Sequence, residues 1–281
     1  LRTEGGTVTW VVTNPAYRPG WVARIRGLRA VVRLVPYMFR LAGAIRGSRM
    51  VHIMANSGWS WFLYAVPALL VARAGRCPVV INYRGGGAEG FLDRFGWAAI
   101  PFLRMAAVLA VPSTFLEEVF RRRGLRPEVV PNIVNVGEFS YRDPAPRVSQ
   151  QPHLISARNL EPIYGNDIAL RAFARVRREF GEARLTVCGT GPDLEPLRRL
   201  ADSLGVEDAV TFPGRVERKQ MVDLMSHSDV LLNASRSDNM PNALLEALAT
   251  GLPVVTTDAG GIPAIVTHQE TGILCRIDDE E

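Results

Sequence analysis

Cysteine is scarce: Cys77, Cys188 and Cys275 are the only three in 281 residues. They are odd in number, far apart and set in apolar runs, which excludes a disulfide framework, argues against a metal site and points to a reduced, cytoplasmic protein. No Asp-x-Asp pair occurs anywhere, so that carboxylate metal motif is missing as well. Long uncharged stretches are few. Between Arg49 and Arg73 there is no formal charge except a possible one on His52, over a length that would cross a bilayer. However, Asn56, Ser57, Gly58, Ser60 and Pro67 break the run into a strand, a loop and a short buried helix, and no secretory signal pattern is visible.

Negative charge is sparse in the first half. Residues 1–130 hold 18 arginines against 6 acids, whereas residues 131–281 hold 15 basic residues against 22 acids. So basic a half seeks anions. On a helical wheel for residues 22–47, Arg26, Arg29, Arg33 and Arg40 share one side, while Leu28, Val32, Val35 and Phe39 share the other. Such a helix suits an anionic membrane surface or, equally, an ordinary core, and Pro36 should kink or split it. Nucleic acid is not expected, because no basic and aromatic residues interleave.

Length suits two domains. The stretch near residues 131–151 is rich in Pro, Asn and Ser and has no periodicity, which divides the chain into 1–132, a linker at 133–150, and 151–281. In the second part strands and helices alternate: a strand ending near Ala157, a helix from Ile168, and strands at 184–188, 210–216, 229–233, 253–257 and 272–277. That alternation implies an α/β, doubly wound parallel sheet. Gly189-Thr190-Gly191 lacks the third glycine of a dinucleotide fingerprint, Leu194 standing in its place. In the first part, strands are expected at 49–54, 79–83 and 105–111. Thr114 and Glu117 suggest a capping box for a helix ending at Gly124. His52 reads as a core histidine, and Trp59, Trp61, Phe62 and Tyr64 as aromatic core, with an acceptor cleft as the alternative.

One segment names a chemistry. From Ser235 to Gly272 it sets two carboxylates, Asp238 and Glu246, at either end of a turn that opens a helix. Pro241 suits the first helical position, which would put Asn239 or Met240 at the cap with free N–H groups nearby, a place for an anion. Asn242 and Glu246 share one helix face, and Gly251 ends the helix. Gly260-Gly261 forms a second loop before Pro263, where another helix is expected, so two helix N-termini would cradle a diphosphate.

With Glu246-Ala247-x-Ala249-x-Gly251-x-Pro253-Val254-Val255 and Gly260-Gly261-Ile262-Pro263 in register behind Asp238, the segment resembles the retaining, nucleotide-sugar-dependent glycosyltransferases of family four. The resemblance implies a GT-B architecture, two facing Rossmann-like domains with the donor in the second and the acceptor in the first. It implies sugar transfer from a nucleoside-diphosphate sugar to a glycan or lipid-linked acceptor in polysaccharide or glycolipid synthesis, with no cofactor and no metal. Arg158 and Asp238 are the implied catalytic residues, and Arg84, where the chain departs from the family, is a third candidate. Tyr164, Gly214, Arg215, Val216, Ser235, Asn239, Met240, Pro241 and Glu246 are the implied donor-binding residues.

The chain departs from that family in three places. Tyr164-Gly165 stands where Lys-Gly is expected, so one positive charge is missing; Tyr164 does a weaker job, or another arginine substitutes. Asp238 is one methylene shorter than the usual glutamate. Arg84-Gly85-Gly86-Gly87 replaces a His-Gly pair, so Arg84 either meets the donor phosphate or a phosphorylated acceptor, or belongs to a simple turn. The chain also reads as part of a longer enzyme, lacking the first βα unit and the closing C-terminal helices. A nucleotide-sugar epimerase or a non-transferring nucleotide-sugar-binding protein is the alternative.

Overall fold

A computed structural model describes residues 7–13, 28–141 and 151–280, with side chains of the first helix from Arg33 onward. Two compact units form, one from Leu1–Val111 with Glu117–Val130, the other from Pro112–Leu116 with Pro131–Glu281. Residues 142–150 of the expected linker lie outside the described residues.

The first unit contains α1 (Leu28–Ile45), β1 (Val51–Ala55), a π turn (Trp61–Ala65) leading into α2 (Val66–Ala74), β2 (Val79–Tyr83), α3 (Ala88–Leu103), β3 (Val108–Val111), the part of α4 (Thr114–Arg121) from Glu117 on, and β4 (Glu128–Val129). Among the described residues its four strands are all parallel, in the order β1-β2-β3-β4. Apolar β-branched runs favour such strands because both faces must be covered. Tyr83 anchors this core: its ring meets Phe120 edge-on at 5.0 Å, and its hydroxyl lies 2.7 Å from Ser57 Oγ.

Several expectations fail in this half. Helix α1 passes through Pro36 without a break, and it buries Tyr37, Leu41 and Ile45, spaced by four, while leaving Val35 and Phe39 exposed. Apolar seams follow the face that meets a neighbour, and here that face is rotated from the expected one. Arg26 lies outside the described residues, as do the side chains of Leu28, Arg29 and Val32. His52 is not a core histidine: it sits on the outward face of β1, the end strand among the described residues, where alternate residues point away from the core. Trp61 is fully buried, but Trp59 stands exposed. No capping box opens α4; Ser113 Oγ accepts from the Leu116 N–H, and the helix ends at Arg121. Strand β4 is too short to carry a periodic signal. Among the described residues no helix is long and apolar enough to cross a membrane.

The second unit alternates regularly through β5 (His153–Ala157), α5 (Asn166–Glu179), β6 (Arg184–Cys188), α6 (Leu194–Ser203), β7 (Val210–Gly214), α7 (Arg218–Ser226), β8 (Val230–Asn233), α8 (Asn242–Thr250), β9 (Val254–Thr257) and β10 (Ile273–Cys275). Its six parallel strands run in the order β10-β9-β8-β5-β6-β7. Successive side chains of β5 supply the two cores. Leu154 joins Leu170 and Phe173 of α5 on one face, and Ile155 joins Leu244 and Ala247 of α8 on the other.

The turn after β6 depends on a glycine. Gly189 has φ +140°, and a Cβ there would stand 2.1 Å from the carbonyl oxygen of Arg158. The loops after β5 and β6 therefore touch backbone to backbone. Gly189→Ala should cost about 1–3 kcal/mol from backbone strain alone, read as a lower urea midpoint; an unchanged midpoint would show that the two loops do not need this contact.

Candidate functional site

Strands β5 and β8 pair directly although β6 and β7 separate them in the chain. The winding leaves β5 on one side towards β7, then returns to its other flank. At such a reversal the loops after the two strands diverge and open a crevice outside their carboxyl ends, the usual ligand position in parallel sheets. Arg158 follows β5, and Ser235 to Asn239 follow β8.

Those loops bring two expected residues together. Arg158 Nη2 lies 2.5 Å from Asp238 Oδ2, with both side chains largely buried. The contact is an ion pair rather than an aligned hydrogen bond, since Asp238 Oδ2 and Arg158 Nε have no hydrogen-bond partner, and Asn239 Nδ2 is orphaned likewise. Three buried polar atoms in one place are unusual in a settled core. The other Asp238 oxygen accepts from the Asn239 N–H at 2.8 Å. Burial pushes the Asp238 carboxyl above the usual carboxylate range, against the pull of Arg158 and of the Asn239 N–H.

The helix start differs from the expectation. Pro241, with φ −67° and ψ 121°, is the cap residue and Asn242 the first helical one. A cap needs extended ψ while proline fixes only φ, so Pro241 fits this place as readily. Asn239 and Met240 instead serve as attachment points. Ser113 Oγ donates to Asn239 Oδ1, and Asn132 Nδ2 donates to Met240 O at 2.8 Å and to Asn242 Oδ1 at 2.7 Å. Ser235 is fully buried and donates to Asn233 Oδ1. The second expected helix is only a three-residue 3-10 turn, Ile262–Ala264, and the Gly261 N–H already donates to Asp238 O at 3.0 Å. Gly260-Gly261 thus supports the Asp238 loop rather than forming a second cradle.

A cavity of about 350 Å³ opens beside Arg158, lined by Tyr164, Gly189, Thr190, Arg215, Val216 and Met221 among others. Gly214, at the end of β7, accepts from the Gly189 N–H at 2.9 Å. Asp238 and Glu246 are not among its lining residues. Glu246 is half-buried on α8; burial raises its pKa, and the nearby charge of Arg218 opposes the rise. Arg84 lies in the first unit just past β2, where its N–H donates to Ala55 O at 3.0 Å and burial lowers its pKa. Among the described residues no three or more His, Cys, Asp or Glu gather as metal ligands.

Three participants escaped sequence reasoning. Arg218 reaches Glu138 at 3.3 Å and influences Glu246. Asn132 sits in the expected inter-domain stretch. Arg236 binds both oxygens of Asp167 at 3.0 and 2.9 Å and Asp278 at 2.6 Å. Its position inside the Ser235–Gly272 segment was the one available signal.

The family model for glycosyl transferases group 1 matches residues 138–281, and that for the glycosyl transferase 4-like domain matches residues 1–133. The GDP-mannose-dependent alpha-(1-6)-phosphatidylinositol monomannoside mannosyltransferase of Mycobacterium tuberculosis is 28% identical, across 92% of this chain and 75% of its own length. The N-acetyl-alpha-D-glucosaminyl L-malate synthase of Bacillus anthracis is 33% identical across 45% of this chain and 32% of its own. Anabaena Alr3699/HepE, solved in complex with UDP-glucose, superposes with a TM-score of 0.75 at 19% identity, covering 89% of this chain and 71% of that one.

Glu246 offers a stability test. Its folded pKa is raised, so its charged form costs stability at neutral pH, and the cost fades as pH falls from that raised value to the ordinary carboxylate range of the unfolded chain. Glu246→Gln should therefore melt at or above the wild-type temperature at pH 7, with the margin shrinking in acid. A variant markedly less stable at pH 7 would mean that the carboxylate is structural.

Proposed function

The chain belongs to the group 1 glycosyl transferases, and we propose that its second unit holds a nucleoside-diphosphate sugar at the carboxyl ends of β5 and β8 and transfers the sugar with retention of anomeric configuration. The observation that carries this reading is the meeting of Arg158 with Asp238 at the strand-order reversal. Glycosyl transfer builds negative charge on the leaving diphosphate and positive charge at the anomeric carbon. Arg158 supplies a fixed cation for the first. The N-terminus of α8 adds its dipole, so the charge is met without a metal. Asp238 is suited to a sugar hydroxyl, and Glu246, on the second turn of α8, to the ribose. Tyr164, Gly214, Arg215 and Val216 would form the remaining donor wall. Keeping Asp238 and Glu246 in places that raise their pKa values favours a functional over a structural role.

The acceptor is read as a glycan or a lipid-linked glycan, in keeping with the phosphatidylinositol mannoside named for the mycobacterial relative. Attachment to an anionic membrane surface fits the basic first half and the exposed Phe39 and Arg40 of α1; unchanged vesicle binding by Phe39→Ser would remove that support. Arg84 remains a candidate contact for a phosphate of donor or acceptor, and Arg84→Ala with normal turnover would reduce it to a turn residue.

The test is release of nucleoside diphosphate from UDP-, GDP- and ADP-sugars with and without acceptor, and the anomeric configuration of the product. Acceptor-dependent release with a retained anomer is expected; acceptor-independent sugar conversion would overturn the transferase reading in favour of an epimerase. Arg158→Ala should lower kcat about 10²–10³-fold, more than it raises donor KM. Glu246→Gln should weaken donor binding by about 10–150-fold, the value of one charged hydrogen bond. Unaltered kcat in the first variant, or wild-type donor affinity in the second, would cancel the respective assignment.

A further inference from the structure

We propose that Tyr164 is a positioning residue for Arg158, its ring face holding the guanidinium where a diphosphate is met. The proposal rests on the donor-site reading above. The Arg158 Cζ lies 4.2 Å from the centre of the Tyr164 ring, while Asp238 takes the Nη2 end. Two groups from two different loops thus fix one guanidinium. Because the arginine side chain is only 17% exposed, the ring face competes with little water, and cation–π attraction is strongest in such desolvated places.

The turn that carries the ring is itself held fast. Tyr164 closes a 3-10 turn, Pro162–Tyr164, and Gly165 follows at φ +59°. A Cβ on Gly165 would stand 1.9 Å from the carbonyl oxygen of Ala234, so the turn is pressed onto the chain just after β8. Arg236 then bolts the two together: its N–H donates to Ile163 O at 2.8 Å, and its Nη1 donates to Pro162 O at 2.6 Å. Bidentate bonds from Arg236 outweigh the effect of burial and keep the Asp167 carboxyl below the usual range, so this bolt stays charged at neutral pH. Tyr164 and Asp238 therefore approach Arg158 from segments locked to each other.

A lysine at this place would add a charge but offer no ring to stack on. In this chain Asp238 pairs with Arg158, and an arriving diphosphate takes the guanidinium over from Asp238 while the ring keeps it in place. The ring thus supports Arg158 by geometry and adds no charge of its own.

The experiment measures inorganic pyrophosphate binding by calorimetry, alongside sugar transfer, for Tyr164→Phe, Tyr164→Leu and Tyr164→Ala, each alone and with Arg158→Ala. Tyr164→Phe should bind pyrophosphate within about twofold of wild type, whereas Leu and Ala should each weaken it by about 3–30-fold, the range expected for a buried cation–π contact. In the Arg158→Ala background none of the three should have any further effect, because the ring acts through the guanidinium. Loss in Tyr164→Phe equal to that in Tyr164→Ala would overturn the proposal in favour of a hydroxyl contact with phosphate, and equal losses in both backgrounds would mean a merely structural ring. Pyrophosphate binding that follows this pattern without any sugar transfer would sink the transferase reading and leave the positioning role standing.

Discussion

The pairing of β5 with β8 is the constraint on which the site depends. In a parallel sheet every strand delivers its following loop to the same edge, and a reversal of strand order makes two of those loops diverge. Arg158 and Asp238 come from opposite sides of that reversal, 80 residues apart in the chain, yet they form an ion pair. Both cores are also arranged around β5. Leu154 and Ile155 commit its two faces to different helices, so a slip of the strand by one residue would turn each side chain into the core packed for the other.

The loops above that sheet are stiff, and their stiffness is made by backbone contacts. Gly261 donates to the Asp238 carbonyl, and the turn after β6 rests on the Arg158 carbonyl. Arg236 ties the turn bearing Tyr164 to the loop after β8 and to Asp278 near the end of the chain. Rigid support of this kind is what charge stabilisation requires, because donors that need no rearrangement lose no energy when charge develops. Against that rigidity stand three orphaned polar atoms, on Arg158, Asp238 and Asn239. They are costly in an apolar core and cheap where a polyhydroxylated, charged ligand binds.

Much of the second unit is legible in sequence because its elements are strongly periodic and its turn residues are forced. The segment from Ser235 to Gly261 carries its meaning in local order, and local order survives folding. Other features were hidden for a physical reason. The ring of Tyr164 reads as a lost charge in sequence and becomes a stacking partner only once the loop between β5 and α5 folds it back onto Arg158. Arg218, Arg236 and Asn132 work through partners far along the chain, with no spacing to betray them. The helix through Pro36 shows the converse limit: a wheel gives an apolar face, but the neighbour decides which face is buried, and Tyr37, Leu41 and Ile45 were chosen over Val35 and Phe39.

A crystal structure with a nucleoside diphosphate, UDP or GDP, bound to the protein addresses the central claim most directly. The diphosphate oxygens should lie within about 3 Å of the Arg158 guanidinium, outside the carboxyl ends of β5 and β8, with the Tyr164 ring still stacked on that arginine. A nucleotide seated with its phosphates away from Arg158, or Arg158 still bound to Asp238 and touching no phosphate, would contradict it.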